Sequence, residues 1–161
     1  LRGYPRPEAD PELDRWTYQG RAKLAQEIER GVTTLEERYP GLVRREEATL
    51  IGFSLGANMA PRLVGVKGDG EVSYKRLVLA EGGYQVTAQI ARTAARKGIE
   101  RVVYICGERT ACRTRAKGLK TVWKRAGIEL ETVVMPGVGH GYNEDFDPIA
   151  QRTFELLFSP N

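Results

Sequence analysis

The sequence predicts an α/β protein, a three-layer sandwich built on a mainly parallel sheet. Two observations carry that prediction. Short apolar runs alternate with amphipathic stretches four times along the chain, the order expected of strands linked by right-handed helical crossovers. The first of those runs, ATLIGF (48–53), is also continuous rather than apolar at every second residue, the pattern of a strand covered on both faces. The 161 residues suit one domain, 1–161, large enough to bury a core. A hydrophobic content of 41% with 29% charged residues is that of a globular chain, not a disordered one.

Taken in order, residues 1–15 are Pro-rich and charged and read as an extended arm. From Trp16 to about Tyr39, apolar residues recur at Leu24, Ile28, Val32 and Leu35, one stripe of an amphipathic helix that Pro40-Gly41 stops. ATLIGF (48–53) is the first strand. LGANMAPRLVGV, after Ser54, reads as a helix whose Pro61 belongs in its first turns or bends it. YKRLVLA (74–80) is a second strand, followed by a short helix over 85–96 with Ile90 and Ala94 inward. RVVYIC (101–106) is a third, followed by a helix over 113–126 with Leu119, Val122 and Trp123 on one face and Gly127 as its cap. ELETVVM (129–135) is a fourth, and Asp147-Pro148 opens a last helix that runs to about Phe158. No repeat or low-complexity segment interrupts the series.

Several function classes are set aside by composition. No apolar stretch approaches the roughly 20 residues of a membrane span. The net charge of +4 is spread among nearly as many acids, a solvated surface rather than a nucleic-acid footprint. One histidine, His140, and two cysteines, Cys106 and Cys112, offer no zinc spacing, so no metal or cofactor is expected. LRGYPRPEAD lacks a signal-peptide core, and a start at Leu1 rather than Met suggests a segment removed upstream.

The stretch GFSLG (52–56) carries the chemistry. A strand that turns straight into a helix crowds its corner residue into a strained conformation. Gly52 and Gly56 are expected to leave room there, because neither has a side chain to collide with strand or helix. The Ser54 hydroxyl then stands out at the sheet top, beside a helix N-terminus that favours developing negative charge. This is the G-x-S-x-G nucleophile elbow in its strand-turn-helix context.

From GFSLGA to GVGHGY the chain resembles the C-terminal part of the α/β-hydrolase fold, spanning what would be its fifth to eighth strands. The order of serine first and histidine near the C-terminus agrees with that superfamily. The resemblance implies acyl transfer through a covalent acyl-serine. His140, in the glycine-rich PGVGHGY loop after the fourth strand, is expected at the same sheet edge as Ser54, where its imidazole takes and returns the proton. The family's acid often lies in a pattern like G-x-x-D after the third of these strands. Here the pattern reads GERT (107–110), with Thr110 at the acid position. Glu108 is the nearest replacement, and Glu81, in LAEGG after the second strand, is an equal candidate because some relatives carry the acid there. Asp145 and Asp147 also follow His140.

The backbone N–H of Leu55 is the expected oxyanion donor. The second donor comes, in this superfamily, from a loop after its third strand, and nothing upstream of Ala48 resembles strands one to four. The expectation is therefore a partial domain, completed by an upstream segment or a second chain that covers the edge of the first strand. Cys106 and Cys112 bracket the GERTA loop. A disulfide there suggests an exported protein, and free thiols suggest a cytoplasmic one. Tyr142, Tyr84 and Trp123 are candidates for a pocket wall, Trp123 more naturally for the core.

The expected activity is that of a carboxylesterase-like serine hydrolase acting on a small-molecule acyl substrate such as an ester. The alternative is a non-catalytic binding or scaffold domain of the same fold that has lost its acid and part of its sheet.

Overall fold

The computed structural model describes residues 18–66, 72–142 and 146–158. Helix α1 (Tyr18–Arg38) leads through a short 3-10 turn (Arg45–Glu47) into strand β1 (Ala48–Phe53). Helix α2 (Leu55–Leu63), β2 (Tyr74–Ala80), α3 (Ala88–Arg96) and β3 (Arg101–Gly107) follow. The described elements end with α4 (Cys112–Lys124), β4 (Leu130–Met135) and α5 (Asp147–Phe158). The strands form one sheet in the order β1-β2-β3-β4, with every neighbouring pair parallel.

Alternate residues of β2 and β3 feed two different cores, which is why residues 77–80 and 102–105 include no charged side chain. Leu77, Leu79, Val102, Tyr104 and Leu130 pack with α2, α3 and α4 through Ala60, Ala91, Leu119 and the fully buried Trp123. Val78, Ala80, Val103, Ile105, Val133 and Met135 face the other way and pack against Leu157 of α5. Helix α1 lies against α2. The three layers are thus three helices, the sheet and α5. Two arginines fasten that last helix. Arg76 Nε donates to the Leu157 carbonyl at 3.0 Å and Arg101 to the Leu156 carbonyl at 2.9 Å, acceptors that a helix end leaves without intrahelical partners.

Helix starts differ slightly from the sequence reading. The expected α3 over 85–96 begins only at Ala88, because the Thr87 hydroxyl accepts the Ile90 N–H and caps it. Pro61 stands inside α2 near its C-terminal end rather than in its first turns, and the helix stops two residues later. The predicted arm over 1–15 and Trp16 lie outside the described residues.

Cover over the sheet stops at β1, and the expectation that this strand is buried on both faces needs correcting, since only Gly52 of its residues is buried. Ile51 pairs in register with Val78, yet Ile51 is 66% exposed where Val78 is 2% exposed. Among the described residues no strand pairs with the outer edge of β1, and none with that of β4. No described helix is long and apolar enough to cross a membrane.

Candidate active site

Ser54 is the single residue between β1 and α2. Its backbone has φ 52° and ψ −111°, a region L-residues rarely occupy. Two close approaches hold that corner. A Cβ at Gly52 would be driven into the Gly56 carbonyl group and come within 2.6 Å of the Ala57 nitrogen. One at Gly82, just after β2, would overlap the Ser54 carbonyl oxygen and reach 2.8 Å from Ala57 Cβ. The expectation for Gly56 needs correcting: a Cβ there meets nothing within 4 Å among the described residues. Gly56 contributes its backbone, against which Gly52 packs, and the need for a bare α-carbon falls on Gly52 and Gly82.

The strained turn is tied down by hydrogen bonds on both sides. Ser54 N–H donates to the Ala80 carbonyl at 2.7 Å, one step beyond the paired strand ends. The buried Asn58 side chain donates to the Ser54 carbonyl at 3.3 Å and accepts the Gln85 N–H at 3.2 Å. Asn58 thereby links the elbow to the loop after β2. The sequence reading did not single it out. Its one signal is an amide on the buried face of α2, four residues after the serine.

From Ser54 a hydrogen-bonded line crosses the sheet top. His140 Nε2 is 3.0 Å from Ser54 Oγ, and His140 Nδ1 is 3.2 Å from Glu81 Oε2. The other carboxylate oxygen of Glu81 accepts the backbone N–H of Gly107, at the end of β3. The Glu81 side chain is fully buried, whereas that of His140 is 52% exposed. A carboxylate accepts, so the imidazole proton belongs on Nδ1, leaving the Nε2 lone pair to the serine hydroxyl. Three loops, after β1, β2 and β4, supply the three side chains, and the last residue of β3 supplies the N–H that orients one of them.

Of the two glutamates left open by the sequence, only Glu81 reaches the imidazole. Glu108 lies elsewhere: its Oε2 accepts the Gly137 N–H at 3.0 Å, fastening the loop after β3 to the loop after β4. The reason is backbone direction. Glu81 has φ 54°, which turns its side chain inward under His140, whereas Glu108 is exposed. Thr110 donates its hydroxyl to the Gly107 carbonyl and serves the turn. Asp147 opens α5, and Asp145 lies outside the described residues.

Leu55 is the first residue of α2, so its N–H is among those with no intrahelical acceptor. Phe53 stacks on the His140 ring, with centroids 5.4 Å apart, and lies tilted against Tyr142 at 4.9 Å. Burial and the charge of Glu81 together raise the Tyr142 hydroxyl above its ordinary pKa. Tyr142 thus belongs to the wall of this site. Tyr84 is exposed under the Arg115 guanidinium, 4.9 Å from its ring centre, and Trp123 is wholly core. Cys106 and Cys112 are disulfide-bonded and buried, with Cα atoms 5.5 Å apart, and close the loop that begins at Gly107.

No protein-family model and no curated protein sequence matches the chain. Solved structures do. An uncharacterized protein from Bacillus cereus superposes with a TM-score of 0.62 at 20% identity, over 88% of this chain and 45% of that one. An acylaminoacyl peptidase from Pyrococcus horikoshii gives 0.61 at 14% identity, over 91% of this chain and 30% of that one. An esterase from Pyrobaculum calidifontis gives 0.53 at 16% identity, over 83% and 59%. The fold these comparisons define is the α/β-hydrolase fold. The chain spans about half or less of the first two structures' lengths, which fits part of that fold.

Proposed function

We propose that this chain is the nucleophile-bearing part of a serine hydrolase that cleaves a small ester or related acyl substrate. One observation carries the reading: the line from Ser54 Oγ through His140 to Glu81, at 3.0 and 3.2 Å. Ser54 Oγ attacks the acyl carbon as its proton passes to His140 Nε2, and buried Glu81 balances the imidazolium that forms. The oxyanion draws on the Leu55 N–H at the positive end of α2. The leaving alcohol then takes the proton from Nε2. Water, deprotonated by the same nitrogen, attacks the acyl-serine, releasing the acid and restoring Ser54. No metal or organic cofactor enters these steps.

A scaffold role would draw on the absence of an acid, and the Glu81–His140 contact argues against it. An upstream segment or a second chain is part of the proposal. It covers the β1 edge and the exposed Ile51 and Phe53, and it supplies the second oxyanion donor. The buried Cys106–Cys112 bond favours an oxidising compartment for the protein.

A fluorophosphonate probe tests the reading. Stoichiometric labelling at Ser54, abolished in Ser54→Ala and in His140→Ala, is the expected result. An intact, folded protein that leaves the probe unreacted would be a scaffold.

A further inference from the structure

On the side of the molecule formed by α4 and β4, a groove of about 880 Å³ runs between the helix and the open edge of the strand. One wall is cationic. Arg113, Lys117, Lys120 and Lys124 recur at steps of four, three and four along α4, so one helical face carries them all. All four are exposed, and none forms an ion pair among the described residues. The floor is apolar, made by Ile128, Leu130 and Val134, and Glu129 is the one acidic side chain lining the groove among the described residues. Thr132 lies in the wall with a buried hydroxyl that has no hydrogen-bond partner among the described residues. None of these groups takes part in the Ser54 site.

We infer that this groove binds an extended acidic peptide segment, which adds as a fifth strand along β4 and sets alternate glutamates against the cationic row. The dimensions agree. Four cations over twelve residues of helix span about 16 Å, with successive charges about 4.5–6 Å apart along the axis. Every second side chain of a strand recurs at about 6.6 Å, so three or four acidic positions match the row. Main-chain bonds to the unpaired β4 edge supply affinity, and the cations select the side chains. Glutamate fits better than aspartate, because its longer stem lies on the apolar floor while its carboxylate reaches the lysines.

Other occupants fit less well. Two copies joined edge to edge through β4 would bring two cationic rows together. A nucleic acid would find no exposed aromatic platform for its bases in this groove, since the Trp123 ring is fully buried.

The test is fluorescence anisotropy with a fluorescein-labelled heptapeptide of alternating Glu and Val, paired with amide hydrogen exchange over Leu130–Met135. Binding that weakens with salt, that weakens about tenfold in Lys117→Glu/Lys120→Glu, and that slows exchange in β4 is the expected result. Sodium polyphosphate is the competing probe. If it binds with the same lysine dependence while the peptide leaves β4 exchange unchanged, the groove takes any polyanion and the strand proposal fails. If the peptide does not bind, the lysines serve only to guard an open edge against pairing, and the proposal fails equally.

Discussion

Replacing Glu81 with glutamine separates charge and proton position from shape. The glutamine carbonyl can still accept the Gly107 N–H, so the side chain keeps its place under the imidazole. Its amide nitrogen then faces His140 Nδ1, 3.2 Å from where Oε2 stood, and a donor there requires Nδ1 to accept. The ring proton moves to Nε2, which now donates to Ser54 Oγ across the 3.0 Å contact instead of taking its proton. Loss of the correct tautomer, together with loss of the charge that balances the imidazolium, is worth about 1,000- to 10,000-fold in serine hydrolysis. That corresponds to about 4 to 5.5 kcal/mol at the transition state. The second-order rate of fluorophosphonate labelling at Ser54 reads this directly, since it reports nucleophile activation without a complete substrate pocket. Glu108→Gln is the control, with an expected change below about threefold, because its carboxylate accepts the Gly137 N–H and not the imidazole. Glu81→Gln labelling within about threefold of the parent protein would refute the assignment.

Three stability measurements follow from the same geometry. Gly52→Ala forces a methyl group into the Gly56 carbonyl and should cost about 1–3 kcal/mol in urea unfolding. Gly56→Ala meets open space in the first turn of α2 and should be neutral or up to about 1 kcal/mol stabilising; equal losses at both positions would refute the account. Ser54→Gly should be about 0.5–2 kcal/mol more stable than Ser54→Ala, because glycine relieves the strain at φ 52° and gives back part of the gain in chain entropy. A less stable glycine variant would mean the corner stores no strain. Opening the Cys106–Cys112 bond, whose partners are six residues apart, should lower stability by about 2 kcal/mol by loop entropy. Two titratable thiols in unfolded, unreduced protein would show that the bond is not formed.

The layered fold was legible because burial on both sheet faces leaves its mark on the central part of the inner strands. Leu77 to Ala80 go alternately into two cores, and no polar residue interrupts them. Ser54 and His140 were legible because glycines and chain order mark their loops. The choice between Glu81 and Glu108 was not. It depends on Glu81 entering the positive-φ region, and a single glutamate gives no sign of a backbone angle that glycine or asparagine would normally mark. Asn58 and Gly82 were missed for a related reason. Asn58 meets the Gln85 N–H and Gly82 meets the Ser54 carbonyl and Ala57, contacts that join segments far apart in sequence, and local pattern carries no record of them.

Strain and the candidate site coincide in this chain for a structural reason. The register pairs Phe53 with Ala80, so Ser54 and Glu81 are the first residues past the paired ends of two neighbouring strands. Each keeps one last ladder bond, Ser54 N–H to the Ala80 carbonyl and Glu81 N–H to the Ile105 carbonyl. Immediately afterwards each turns at positive φ, and these are the two non-glycine residues that do so among those described. The final ladder bond fixes the backbone in space, and the reversal of φ then aims the side chain across the rim rather than along the strand. A parallel sheet repeats this opportunity at every strand end on one edge, and β4 uses the same edge to deliver His140. Two strained turns costing about 1–3 kcal/mol each are sustained by the buried sheet beneath them, and they set hydroxyl and carboxylate on either side of one imidazole.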